Sequence, residues 1–203
     1  MTTATPSPEC VALFGTSADP PTIGHLSVLE ALARRYPAVV TWASDNPLKQ
    51  HGVPLQQRAQ LLAQLVAALG DPRVHWLQEL SSPWAIETLA RAQQHWPQAG
   101  LVLVVGSDLL AQIPRWRAAD QLLPQLRLAV IPRQGWPLAV ADLERLRALG
   151  ADVEVLPLAL AASASSRIRE LGAEAPEALA LIPAAIRPVV RRLYGSREAP
   201  GSP

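Results

Sequence analysis

A single cysteine, Cys10, stands in the whole chain, so no disulfide can form within it and no cysteine-rich metal site can be built. Neither charge dominates. The 18 Lys and Arg against 17 Asp and Glu leave a net charge of +1, which provides no broad field for holding nucleic acid or an anionic membrane, so any phosphate binding has to be local. No apolar run approaches the length that spans a bilayer, and the N-terminal MTTATPSPE lacks the basic stretch and apolar core of a secretory leader. The expectation is a soluble, cytoplasmic protein. None of the 11 glycines forms G-x-G-x-x-G, which argues against an NAD-binding dehydrogenase, and no G-K-[ST] follows a glycine loop to suggest a P-loop kinase. No internal repeat is visible. His51, His75 and His95 show no mutual ligand spacing and read as surface or capping residues.

What the chain has is 203 residues, enough for one α/β domain with a proper core, with its 20 prolines mostly at element edges. Apolar runs at Val11 to Phe14, Val39 to Ala43, Val74 to Leu77, Leu101 to Val105, Leu128 to Ile131 and Val153 to Leu156 read as buried strands. Helical periodicity lies between them: from Thr22 to about Tyr36, Leu55 to Leu69 with Gly70 as a stop, Trp84 to His95, and Leu138 to Leu149, with short helices at Leu109 to Ile113 and Ala118 to Leu123. This alternation predicts a doubly wound parallel sheet with right-handed crossovers. The tail differs in kind, with helices at Arg167 to Leu171, Pro176 to Leu181 and Pro183 to Tyr194. Residues 10–195 are expected to form a single domain, 163–195 its helical C-terminal part, with residues 1–9 and 196–203 flexible.

The most informative stretch is VALFGTSADPPTIGHLSVL, residues 11–29. Gly15, Thr16 and Ser17 end the strand with backbone and hydroxyl donors, Asp19-Pro20-Pro21 stiffens the crossover, and Thr22 can cap a helix whose first turn holds Gly24 and His25. The positive end of that helix points back at the turn. A phosphate between them would meet backbone donors, the Thr22 hydroxyl and the His25 imidazole together. Near the other end, Ser165 and Ser166 open a helix with Arg169 one turn in, so that hydroxyls, N–H groups and a guanidinium can converge on one anion.

Thr22-Ile23-Gly24-His25, following G-T-S-x-D-P, resembles the H/T-x-G-H element of the nucleotidylyltransferase superfamily. Ser163-Ala164-Ser165-Ser166-Arg167-Ile168-Arg169 is similar to the I-S-S-T-x-I-R signature of the bacterial nicotinate-nucleotide adenylyltransferases, with Ala164 in place of its first serine. The middle follows that family's order. Asn46-Pro47-Leu48-Lys49 resembles its P-H-K-like loop, Arg58 its helix-opening arginine, and Pro83-Trp84-Ala85-Ile86-Glu87-Thr88-Leu89 its S-Y-T-x-x-T-L segment. Gly106-Ser107-Asp108-Leu109-Leu110 resembles its G-x-D-x-L, Trp116 its tryptophan and Arg133-Gln134-Gly135 its R-x-G. The resemblance runs from Val11 to about Tyr194.

It implies a Rossmann-like nucleotidylyltransferase fold and adenylyl transfer, in which the 5′-phosphate of nicotinate mononucleotide attacks the α-phosphorus of ATP. His25 and Thr22 would act on the reacting phosphates; Gly15, Thr16, Ser17, Gly24, Gly106, Asp108, Ser165, Ser166 and Arg169 would hold ATP, which carries Mg²⁺. The acceptor would meet Asn46, Lys49, Arg58, Trp84, Ala85, Trp116 and Arg133, the tryptophans stacking on its pyridine ring. Ala85 removes a hydroxyl that the family pattern places near the pyridine carboxylate. The acceptor therefore stays open between nicotinate mononucleotide, its nicotinamide analogue and phosphopantetheine. A nucleotide sensor without turnover is a further reading, and the oligomeric state is open, a homo-oligomer included.

Overall fold

The computed structural model describes residues 8–45, 50–158 and 164–195. The expectations for residues 1–7, Asn46, Lys49, Ser163 and 196–203 lie outside them. Each apolar run becomes a strand: β1 (Cys10–Thr16), β2 (Ala38–Ala43), β3 (Val74–Trp76), β4 (Gly100–Gly106), β5 (Arg127–Ile131) and β6 (Asp152–Val155). Between and after them lie α1 (Ile23–Arg35), α2 (Leu55–Leu69), α3 (Ala85–His95), α4 (Ala119–Leu122), α5 (Val140–Ala148), α6 (Ala164–Leu171), α7 (Pro176–Leu181) and α8 (Arg187–Tyr194).

All six strands are parallel, in the order β3-β2-β1-β4-β5-β6. Alternation along β1 shows why both faces need cover. Val11 and Leu13 pack with α3 residues Leu89 and Ala92 and α5 residue Leu146 on one side. Ala12 and Phe14 pack with α1 residues Val28, Leu29 and Leu32 on the other. Thr41, the polar residue inside β2, is fully buried but donates its hydroxyl to the Phe14 carbonyl at 2.7 Å.

The C-terminal helices do not extend the sheet. Ile168, Ala178, Ile182, Ile186 and Val190 join Leu61, Leu62 and Leu65 of α2 in a third core cluster, so α2 is buried against the sheet and the tail together. Gly70 ends α2 in the left-handed conformation at φ 65°, where a Cβ would be strained.

Two local expectations need correcting. The helix expected from Pro183 is broken into a 3₁₀ turn at Ala184–Ile186 followed by α8, because Pro188 lacks an N–H and fits only in a first turn. The helix expected over Leu109 to Ile113 resolves into 3₁₀ turns at Ser107–Leu109 and Ile113–Arg115.

Candidate active site

In an open parallel sheet a crevice forms where the strand order reverses, at the carboxyl ends of the strands. Here that point lies between β1 and β4, and a cleft of about 1130 Å³ opens there. Its walls are the end of β1, the first turn of α1, the end of β4, the start of α3, the Trp116 turn and the start of α6.

His25 is held from both sides. The Thr22 backbone N–H reaches its Nδ1 at 3.1 Å and the Thr22 hydroxyl lies 2.9 Å from the same atom. A backbone N–H can only donate, so Nδ1 is the acceptor and the ring proton sits on Nε2. Nε2 therefore donates to Thr16 Oγ1, 2.9 Å away. Burial, and then the positive charge of Arg133, hold the imidazole down to a pKa of about 4, so it is neutral at pH 7 and still a donor.

That shift predicts a stability effect. As pH falls below about 6.5, the unfolded chain takes up a proton at His25, whereas the folded protein does so only near pH 4. Stability at this residue is therefore fully present above pH 6.5 and falls on the way to pH 4, by about 3 kcal/mol in all. Urea unfolding at pH 7 and pH 4.5 should show a smaller loss for His25→Asn than for the parent. Equal losses would show that His25 does not titrate in this way.

Gly15 lets the strand end approach the neighbouring strand's indole. A Cβ at that position would stand 2.7 Å from Trp42 Cζ2, and Trp42 is itself buried, so the ring has little room to yield. Gly15→Ala is expected to cost about 1–3 kcal/mol and to displace Thr16 from His25. A lowered denaturation midpoint together with a lowered kcat is the expected observation.

At the β4 end, Asp108 and Arg133 meet each other. Their ion pair is 2.7 Å long, and Ser107 secures the same loop by donating to the Trp136 carbonyl at 2.7 Å while accepting from the Arg133 N–H at 2.9 Å. Both residues line the cleft. The sequence pattern had set them on different substrates.

Arg58 departs from expectation. It is fully buried and is absent from the cleft wall. Its guanidinium donates to the carbonyls of Ser17 (2.7 Å), Ser44 (2.8 Å) and Val53 (3.3 Å) and to Asp45 Oδ1 (3.1 Å), tying the loops after β1 and β2 together. It shapes the site from behind.

Asp19 is the second tie. Its buried carboxylate accepts from the Gly52 N–H at 2.8 Å and the Tyr194 hydroxyl at 2.7 Å, and lies 3.4 Å from Arg169 Nη1. Arg169 also donates to the Asp19 carbonyl and to Ser166 Oγ, while the Ser165 hydroxyl donates to the Pro20 carbonyl at 2.9 Å. Gly52 sits where these parts cross; a Cβ there would come within 2.8 Å of Arg169 Cδ. Burial and the Asp19 contact push the Tyr194 hydroxyl above the ordinary tyrosine range. His51, expected at the surface, is instead largely buried, with Nδ1 3.5 Å from Asp19 and Nε2 3.9 Å from Asp45.

Thus Gly15, Thr16, Ser17, Thr22, Gly24, His25, Trp84, Ala85, Gly106, Asp108, Trp116, Arg133, Ser165, Ser166 and Arg169 are brought to one cleft. Ser165 and Ser166 lie inside the first turn of α6, which starts at Ala164 rather than near Arg167. Sequence reasoning missed the Asp19 carboxylate and Tyr194. Asp19 was visible beside its proline, but a partner so far along the chain leaves no local signal. Among the described residues no three His, Cys, Asp or Glu side chains gather into a metal-binding group. Nor is any helix of the described residues long and apolar enough to cross a membrane.

The model of the cytidylyltransferase-like family matches residues 13–171. A probable nicotinate-nucleotide adenylyltransferase of Synechocystis is 39% identical over 156 residues, covering 72% of this chain and 78% of the relative. One from Methylorubrum extorquens strain PA1 is 32% identical over 197 residues, covering 93% and 94%. Among solved structures, the nicotinic acid mononucleotide adenylyltransferase of Plasmodium falciparum complexed with NaAD superposes with a TM-score of 0.70 at 14% identity, covering 91% of this chain and 94% of that one. That likeness is one of fold. Together with the cleft at the strand-order switch, the two sequence relatives place the chain: it belongs to the cytidylyltransferase-like family, among the nicotinate-nucleotide adenylyltransferases.

Proposed function

We propose that the protein transfers AMP from ATP to nicotinate mononucleotide, giving nicotinate adenine dinucleotide and pyrophosphate. The observation that carries this reading is His25: a neutral imidazole whose Nε2–H faces the cleft beside Thr16, fixed by Thr22 at the positive end of α1.

The chemistry needs alignment more than proton transfer. A mononucleotide phosphate is already anionic at pH 7, so one of its oxygens attacks the α-phosphorus directly and no general base is required. The bond from that phosphorus to the bridging oxygen of the β-phosphate breaks, and pyrophosphate leaves with the electron pair. Charge grows on the transferred and leaving oxygens, where a donor in place before the reaction costs no reorganisation. His25 Nε2–H can pass from Thr16 Oγ1 to a phosphate oxygen without moving its ring, because Nδ1 stays anchored. Negative charge arriving there raises the imidazole pKa, so the transition state tightens the contact.

Ser165, Ser166 and Arg169 stand at the cleft's α6 side and would hold the β- and γ-phosphates. No side-chain cluster of the described residues would hold a metal of its own, so Mg²⁺ would be carried by ATP and would supply charge neutralisation to its phosphates. Asp108, paired with Arg133, has acceptor capacity left for a ribose hydroxyl. Trp84 and Trp116 supply the apolar faces for a pyridine ring.

Incubation with Mg²⁺, ATP and nicotinate mononucleotide, following pyrophosphate, tests the reading. Nicotinamide mononucleotide and phosphopantetheine run alongside decide the acceptor. Release of pyrophosphate mainly with nicotinate mononucleotide is expected. ATP binding with no pyrophosphate from any acceptor would favour a sensor and reject the enzyme.

A further inference from the structure

The acceptor end of the cleft poses an electrostatic question. Trp84, Ala85 and Trp116 present apolar surface there, and Ala85 has no hydroxyl to offer, yet the acceptor proposed above brings a pyridine carboxylate into this surface. An ionised carboxylate set against indoles needs a cation or several donors.

Among the described residues, the cations on the cleft wall are mostly committed. Arg133 is paired with Asp108, Arg169 with Asp19, and Arg115 bonds back to the Ala111 carbonyl. Arg117 differs. Its guanidinium carbon lies 5.4 Å from the centroid of the Trp84 ring, and its Nη1 is 3.7 Å from Glu87 Oε1, an ion-pair distance too long for a hydrogen bond. Glu87 is itself held in place, accepting from the Ser82 hydroxyl at 2.6 Å. Ser82, Glu87, Trp84 and Arg117 therefore form one assembly at the start of α3. In it the guanidinium is oriented by an indole face and a fixed carboxylate while its N–H donors remain available. A planar fork set in this way matches a carboxylate and gains far less from a neutral amide.

We propose that Arg117 selects the acid form of the acceptor by receiving the pyridine carboxylate of nicotinate mononucleotide. This rests on the adenylyl-transfer reading above and adds to it the residue that discriminates acid from amide. The sequence motifs gave no hint of this, since Arg117 belongs to none of them; only the turn after Ile113–Arg115 carries it across to Trp84. The side chain is 60% exposed, so solvent screens the contact, and a moderate effect is expected.

The test compares the parent, Arg117→Gln and Arg117→Lys with ATP and either nicotinate or nicotinamide mononucleotide. For Arg117→Gln, kcat/KM with the nicotinate acceptor should fall about tenfold, mostly through KM, while that with the nicotinamide acceptor stays within about twofold. Arg117→Lys should recover only part of the loss, because an ammonium keeps the charge without the fork. Equal losses with both acceptors would mean that Arg117 holds the phosphate they share, and no loss with either would mean a solvated side chain; both results overturn the proposal. If the parent itself releases no pyrophosphate with nicotinate mononucleotide, the activity reading fails and the selectivity role falls with it. A parent that turns over while Arg117→Gln preserves the acceptor ratio sinks the Arg117 role alone. Thermal melting should place Arg117→Gln within a few degrees of the parent, so that lost turnover is not lost fold.

Discussion

His25→Ala should lower kcat by at least about a hundredfold, the loss expected when one preset donor to a developing oxyanion is deleted, about 3 kcal/mol of barrier or more. The geometry explains why so much rests on one ring. Nε2–H points into the cleft at Thr16, and the ring cannot swing away because Nδ1 accepts from the Thr22 N–H. Alanine removes the donor and leaves that N–H without its side-chain acceptor. The structural cost should nevertheless be small, about 1 kcal/mol for a weakened helix start, or a few degrees in Tm for a chain of this size. A folded protein with severely reduced turnover is therefore the expected result. His25→Asn, which keeps an N–H donor on a shorter side chain, should fall between alanine and the parent. Near-normal turnover of the alanine variant would remove His25 from the chemistry.

Arg58→Ala should have the largest effect on stability, about 3–5 kcal/mol, comparable to removing one partner from a buried charged pair. Its side chain is fully buried, and truncation strips donors from the carbonyls of Ser17, Ser44 and Val53 at once. Leaving such an acceptor unpaired in the interior costs about 1–3 kcal/mol each, offset where water enters the space. Against a total stability of about 5–15 kcal/mol, many molecules would unfold. Arg58→Lys should recover part of the stability, since an ammonium can reach some of these carbonyls but cannot span two loops as a fork does. Denaturant unfolding followed by tryptophan fluorescence reads the loss. Had Arg58 been an acceptor contact, as the sequence pattern implied, its lysine variant would keep the denaturation midpoint and raise only the acceptor KM. That result would overturn the structural account.

Asp19 and Arg58 show how the site is built from behind its visible face. Neither needs to touch a reacting atom. Arg58 joins the loops after β1 and β2, and Asp19 joins the loop after β1 to Gly52, to α6 through Arg169 and to α8 through Tyr194. The core cluster that holds α1 against the sheet supports the donor at one end of the cleft, and the third supports the clamp at the other.

Much of this protein is written locally. Strand positions, the first helix with its Thr22 cap, the Gly70 stop and the pairing of His25 with Thr22 depend on periodicity and turn chemistry within a few residues. Such features are set by backbone geometry, and the chain states them in order. The motif residues His25, Asp108, Trp116 and Arg169 were legible through the family resemblance, which rests on short stretches of sequence. What each side chain does with its polar atoms was not. Arg58 turned inward, Arg133 paired with Asp108, His51 became largely covered between two aspartates, and Asp19 found Tyr194 at the far end of the chain. A hydrogen bond is decided by which groups are brought within about 3 Å, and for residues far apart in the chain only the packed fold sets that distance.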